Sequence, residues 1–177
     1  LLSQADICIQ NLAPSALARS GLSSGSLREK YPQLITCDIS GYGTQGDYRN
    51  MKAYDFLVQC ESGLVSINGS PEGYGRIGVS VCDIGAGMNA VIGIQNALLV
   101  RAQTGKGSSV LVSLFSTAAG WMSVPYLQSV YGAGAPKRSG LHHPSIAPYG
   151  GYTTSDNEIV VISIQNEREW TRFCELV

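Results

Sequence analysis

The sequence predicts an α/β protein: a parallel sheet in a large but incomplete domain, then a linker into the start of a smaller α+β domain. Three observations predict it. The first forty residues run as a short apolar stretch, two helical stretches and a second apolar stretch, the order of parallel strands joined through covering helices. A long apolar segment, residues 81–101, then precedes an alternating run over 108–115. Last, the composition changes over residues 132–148 to glycine, proline and a histidine pair, after which a hairpin and a helix follow. These divisions place large-domain sequence in 1–118, a helical linker in 119–139 and the start of the small domain in 140–177.

Ile7-Cys8-Ile9 is an apolar run of the kind buried in a sheet, and Pro14 suits the first turn of a helix reaching Arg19, which Gly21 ends. Ser23-Ser24 caps a second helix over 27–31, stopped by Pro32, and Leu34 to Ile39 is the second strand. That strand enters Gly41-Tyr42-Gly43-Thr44-Gln45-Gly46, formally G-x-G-x-x-G. A dinucleotide fingerprint needs a helix opening at the third glycine, and the polar Asp47-Tyr48-Arg49-Asn50 follows instead, so a glycine-rich loop is the better account. Residues 53–62 read as a helix with Phe56, Leu57 and Cys60 on one face; 65–71 read as a turn-rich exit, and the loop to Gly78 shows no periodicity. Gly105 stops the long helix, 108–115 is a strand, and 118–131 is a helix broken or kinked at Pro125. Tyr152 to Ile164 reads as a hairpin around Ser155-Asp156-Asn157-Glu158, and a last helix begins at Glu167.

With 177 residues, 44% of them hydrophobic, the chain holds enough for one core and part of another. A net charge of −1 without a basic run argues against nucleic acid or a membrane surface. Asn89, Gln95 and Asn96 interrupt the best candidate for a bilayer span, and no signal peptide is seen. Five scattered cysteines without a C-x-x-C pair read as reduced core thiols of a cytoplasmic protein. The chain opens on Leu1 rather than Met and stops at Val177 inside a helical pattern, so both ends read as cuts.

The stretch around Asp83 is the most suggestive for chemistry. As an N-cap at the positive end of a helix dipole, Asp83 is expected to be ionised. Gly85, Ala86 and Gly87 leave that first turn bare, as if something approached the backbone closely. Such a carboxylate is either a cap or a nucleophile with room for its substrate, and on these residues alone the plain cap is preferred. Cys82 is a weak nucleophile candidate, because an adjacent anion raises a thiol pKa. Neighbouring histidines point different ways and no acid or cysteine stands at ligand spacing from His142-His143, so zinc is not expected. Ser145 lacks the Gly-x-Ser-x-Gly setting of a hydrolase nucleophile. Arg19, Lys52 and Arg76 read singly as surface charges, although Lys52 with Tyr54 and Asp55 follows a glycine-rich loop and opens a helix.

Several stretches in order carry a resemblance. Ala5-Asp6-Ile7-Cys8-Ile9-Gln10-Asn11-Leu12-Ala13-Pro14, followed by Arg19-Ser20-Gly21-Leu22, resembles the AD-x-x-x-x-N-x-x-P…R-x-G-L segment of class III CoA-transferases, the family of formyl-CoA transferase and carnitine CoA-transferase. Tyr31-Pro32, Ser40-Gly41-Tyr42-Gly43, Lys52-Ala53-Tyr54-Asp55, Asp83 and Thr104-Gly105-Lys106-Gly107 continue it. His143-Pro144-Ser145-Ile146-Ala147-Pro148-Tyr149 is similar to the loop of members acting on dicarboxylic acids.

The resemblance implies a Rossmann-like large domain, coenzyme A and acyl-CoA as substrates with no metal, an interlocked homodimer and Asp83 as the nucleophile. It places Asn11 and Arg19 at the CoA nucleotide, with Lys52 and Tyr54 beside the CoA and the reactive centre, and has the free N–H groups of the Asp83 turn stabilise developing charge. Two departures matter. Related acyl-CoA racemases carry a His before the Asp matching Asp55, where this chain has Tyr54, whose pKa is too high for a base at neutral pH. Transfer is therefore favoured over 2-methylacyl-CoA racemisation. Family chains are also about twice as long, which keeps open a truncated, dimerising domain without catalysis.

Overall fold

The computed structural model describes residues 1–132 and 134–177, without the side chains of residues 14, 15 and 18. It contains two compact units, Leu1–Leu64 with Ile77–Val124 and Val65–Arg76 with Pro125–Val177.

The first unit is built on three parallel strands, β1 (Ile7–Gln10), β2 (Ile35–Ser40) and β5 (Ser109–Ser113), in the order β1-β2-β5. Ile9 lies opposite Cys37, and Cys37 opposite Val110. Between β1 and β2 run α1 (Pro14–Ser20), with Pro14 in its first turn and Gly21 closing it in the left-handed conformation, and α2 (Ser24–Lys30), whose N-cap Ser23 accepts from the Ser26 amide. The second helix therefore starts a turn earlier than the sequence suggests. After β2, one 3-10 turn over Asp47–Asn50 follows the glycine-rich loop, so no helix opens at Gly46 and the dinucleotide fingerprint is absent. Helix α3 (Asp55–Glu61) comes next, then the single turn α4 (Leu64–Ile67).

The buried face of α3 is not the one that carries Phe56, Leu57 and Cys60. Asp55, Val58 and Gln59 point inward, whereas Phe56, Leu57 and Cys60 are exposed. Hydrophobicity marked the wrong side because the inward polar pair is satisfied by partners distant in sequence. The cysteine reading also needs correcting in part. All five are free thiols, but only Cys37 and Cys82 are buried, and Cys60 and Cys174 lie on the surface.

The long helix is α5 (Val81–Thr104), closed by left-handed Gly105. Cys82, Gly85, Ala86, Ala90, Ile94 and Ala97 form its buried stripe. Ala90 and Ile94 pack with Cys37 on the sheet, while Cys82 and Ala86 join Val58, Leu64, Leu114 and Ala118 in a second cluster. By length and composition this helix is apolar enough to cross a membrane, contrary to the expectation from its three amides; its small-residue stripe, however, is packed against protein. Strand β5 ends at Ser113, where α6 (Leu114–Trp121) begins, and α7 (Ser123–Tyr131) follows after a break at Met122. Pro125 thus sits in the first turn of a new helix, where its missing N–H costs nothing.

The direction of α5 decides where its N-terminus lies. Its last turn is tied to the starts of the strands: Arg101 pairs with Asp6 at 3.0 Å and donates to the Gln33 carbonyl, and Gly107 N–H donates to Pro32 O at 2.8 Å. Because β5 sets off from that end, the first turn of α5 reaches the level where the strands finish. In open α/β sheets, ligand sites form at the carboxyl ends of the strands.

In the second unit, β3 (Gly69–Ser70) pairs with β4 (Gly73–Tyr74), giving structure to a stretch that reads as loop, and Arg138 lies over the Tyr74 ring at 4.1 Å. The hairpin β6 (Tyr149–Thr153) and β7 (Ile159–Ser163) pairs Gly151 with Val161. Helix α8 (Glu167–Leu176) is capped by the Asn166 side chain, which accepts from Glu169 N.

Candidate active site

Helices α3 and α5 open against each other, and one buried carboxylate joins them. Tyr54 is the N-cap of α3 but makes no side-chain cap, and its ring is exposed. The next residue, Asp55, is only 6% exposed. Its Oδ2 accepts from Cys82 N at 2.8 Å and Asp83 N at 3.4 Å, and its Oδ1 from Gln59 Nε2 at 2.6 Å. Gln59, wholly buried, accepts in turn from Ile77 N at 3.0 Å. The carboxylate that caps α5 thus comes from α3.

This corrects the reading of Asp83 as an N-cap. Ser80 holds that position, without a side-chain cap bond, and Asp83 is the third residue of the helix. Its own N–H and that of Cys82 are already committed to Asp55, so they neither favour an ionised Asp83 nor remain free for a developing oxyanion. The expected direction reverses: protein packed behind the exposed Asp83, and after it the Asp55 charge, raise its carboxyl above the ordinary value. A more basic carboxylate is a better nucleophile once ionised. Cys82 behaves as expected, with burial first and then Asp55 and Asp83 pushing its thiol up to about 11, far from a reactive thiolate.

The two glycines of this turn differ. A Cβ on Gly85 would fall on the Trp121 ring and 2.9 Å from Thr117 Cγ2, so Gly85 serves helix packing. Gly87 faces open space, with nothing within 4 Å of where a Cβ would stand. The close approach expected at this turn is therefore met at Gly85, by the Trp121 ring, while Gly87 leaves bare surface.

Lys52 and Tyr54 are exposed and stand just before Asp55, which itself bonds to the Asp83 turn. Asn11 and Arg19 lie elsewhere, in the turn after β1 and on α1. Asn11 follows β1, where Gln10 donates to Asp38 Oδ1 at 2.8 Å and accepts from Leu12 N. Asp38 also accepts from Ser24 Oγ at 2.6 Å, so strand end, turn and α2 are tied together. Arg19 is exposed in the last turn of α1. No hydrogen bond among the described residues links Asn11 or Arg19 to Asp83. A cleft of about 440 Å³ opens where β2 and β5 end, lined among others by Asp38, Ser40, Thr44, Asn89, Ser116 and Thr117, and by none of the five residues singled out from the sequence.

In the second unit, the paired histidines do point differently. His142 meets Tyr152 edge-on and His143 stacks on Tyr149. His143 Nδ1 accepts from Ser145 N and Ile146 N at 3.2 and 3.1 Å, which fixes its ring proton on Nε2.

Sequence reasoning missed Asp55, Gln59 and Trp121 as organisers of the site. The one available signal was the acid–amide pair four residues apart at Asp55 and Gln59.

Comparison with known proteins agrees with this architecture. The sequence model of CoA-transferase family III matches residues 1–177. The chain is 33% identical to a succinate–glutarate CoA-transferase of Agrobacterium fabrum, the match covering 100% of this chain and 44% of that protein. It is 30% identical to an acetyl-CoA:oxalate CoA-transferase of Acetobacter aceti, covering 100% of this chain and 46% of that protein. A CAIB/BAIF family protein from Brucella suis shares the fold with a TM-score of 0.86 and 35% identity, over 99% of this chain and 46% of that one. The chain thus spans under half the length of these relatives.

Proposed function

The chain belongs to CoA-transferase family III, and from that premise we propose that its protein moves coenzyme A from an acyl-CoA to a free carboxylic acid through a covalent intermediate on Asp83. The observation that carries this reading is an exposed carboxylate, raised in basicity, in the first turn of α5 beside the open surface of Gly87.

An Asp83 oxygen attacks the thioester carbonyl, the C–S bond breaks, and CoA thiolate leaves an acyl-aspartyl anhydride. The thiolate then attacks the aspartyl carbonyl, releasing the donor acid and forming an aspartyl thioester. The acceptor carboxylate attacks that thioester and expels the thiolate, which takes the acceptor acyl group from the new anhydride and frees Asp83. Every step exchanges one acyl bond for another, so the enzyme needs neither a proton donor nor a redox partner. Lys52 and Tyr54 flank the CoA, and Asn11 and Arg19 hold its nucleotide. The acceptor is a dicarboxylic acid, a reading supported by the His143 to Tyr149 loop and by the name of the Agrobacterium relative. The working protein is an interlocked dimer in a reducing cytoplasm.

Mass spectrometry of the full-length protein with glutaryl-, succinyl- and butyryl-CoA, quenched with hydroxylamine, tests this. A hydroxamate on Asp83 and CoA transfer to the paired acids are expected. Transfer without any adduct on Asp83, or its survival in Asp83→Ala, overturns the covalent route.

A further inference from the structure

The Asp55 carboxylate makes three hydrogen bonds, two of them to the backbone of the turn that carries Asp83, and none of this follows from a cap alone. A neutral acceptor such as Asn or Ser satisfies a helix start about as well. Here a nearly buried charge is used instead, at a cost in desolvation, and it is placed behind another carboxylate. We propose that Asp55 is a positioning residue for Asp83: it anchors the Cys82–Asp83 backbone, withholds those N–H groups from Asp83, and sets a second negative charge against the reactive one.

The geometry supports each part. Asp55 Oδ2 lies 2.8 Å from Cys82 N and 3.4 Å from Asp83 N, so the turn is held at the residue itself. Gln59 Nε2 fixes the other oxygen at 2.6 Å, and Ile77 N fixes Gln59, so Asp55 has little freedom to rotate away. Among the described residues, the groups bonded to or packed on this turn besides Asp55 are uncharged: Gln59 on α3, the un-ionised Cys82 thiol on α5, and Thr117 and Trp121 on α6; Lys52, three residues before Asp55, is the nearest cation along the chain. After burial, the Asp55 charge is what raises the Asp83 carboxyl. The role rests on Asp83 being the nucleophile, but its direct readout does not require turnover.

The test relocates the charge while keeping the bonds. Asp55→Asn alone would set an N–H against Gln59 Nε2. The double variant Asp55→Asn with Gln59→Glu restores that contact, leaves an amide oxygen for Cys82 N and Asp83 N, and lets the new carboxylate accept from Ile77 N. The negative charge has moved one helical turn along α3. In the full-length protein, Asp83 followed by its carboxyl ¹³C shift is expected to titrate lower by about half a pH unit or more, and the acid limb of transfer to move the same way. A folded double variant in which Asp83 titrates as in the parent overturns the proposal. Should the variant not fold, amide exchange in the parent protein decides: slow exchange at Cys82 and Asp83 supports the anchor, and exchange at the rate of free first-turn amides overturns it. A shifted Asp83 titration in a protein without transferase activity leaves Asp55 in this role and removes the proposed function instead.

Discussion

The Trp121 indole lies directly on the Cα of Gly85, in the space that a side chain would fill. Helix α6 is thereby seated against the first turns of α5, one residue pair from Asp83. Gly85→Ala gains helix propensity of about 1 kcal/mol but drives a methyl into the ring and Thr117, and overpacking costs about 1–3 kcal/mol. The expected outcome is a lower denaturant midpoint and a changed Trp fluorescence spectrum, with transfer reduced through the displaced turn.

Gly87, two residues on, predicts the reverse. It is a poor helix former in open space, so Gly87→Ala is expected to stabilise by up to about 1 kcal/mol. If that surface is kept bare for the acyl-CoA, the same methyl raises the KM for the donor. Thermal melts and steady-state kinetics on one preparation check both signs; an unchanged KM removes Gly87 from the binding surface.

Asp83 carries a stability signature of its own. Its pKa is raised on folding, so between the unfolded value and the folded one the native state holds the proton more firmly. Stability therefore falls as pH rises through that window, and the loss is complete above the folded pKa. The dipole of α5 does not reverse this, because Asp55 already occupies the nearest N–H groups. Asp83→Asn is expected to abolish transfer and yet melt slightly higher than the parent at pH 7, the difference closing below about pH 4. A variant that melts lower at pH 7 would show that the charge supports the fold.

What the sequence disclosed about this site was the local part. Pro14 with Gly21, Ser23 and Gly105 mark helix ends because caps act within a turn. Glycines in the Asp83 turn marked a close approach, correctly for Gly85, although the approaching group is the Trp121 ring. The capping role assigned to Asp83 belongs to Asp55, 27 residues earlier for its bond to Cys82. Nothing in a helix-start pattern distinguishes an acid that caps its own helix from one that caps another, so this link appears only with the packing of α3 on α5. The inward face of α3 was hidden for the same reason: Asp55 and Gln59 are buried as a bonded pair, which a hydrophobic pattern cannot register.

Tyr54 predicts the absence of a side reaction. It stands exposed at the start of α3, where related racemases carry a histidine base, and a phenol is almost wholly protonated at neutral pH. Incubated with a chiral 2-methylacyl-CoA in D2O, the full-length protein is expected to leave the α-proton in place while transfer proceeds. Deuterium uptake on the timescale of turnover would move it to the racemase branch.

The last prediction concerns a polypeptide limited to these 177 residues. On α5 the side opposite the buried stripe presents Ile84, Met88, Val91, Ile92 and Leu99 to solvent, and on β7 Ile159, Val160 and Val161 are exposed in succession. The edge strands β1 and β5 add Ile9 and Leu111. Contiguous apolar surface of this kind is rare on a soluble monomer. The two-stranded β6/β7 hairpin is itself marginal in water, and open strand edges pair readily with other chains. Fully burying one Leu, Ile or Val is worth about 1.5–3 kcal/mol, so covering several of these half-exposed residues is worth an amount comparable to the usual margin of a small domain's stability. The isolated polypeptide is therefore expected to elute as oligomers or aggregates and to show no transferase activity. Size-exclusion chromatography with light scattering and a transfer assay on the same fractions check it. A monodisperse monomer that transfers CoA would mean that the exposed faces need no cover and that the site is complete within this chain.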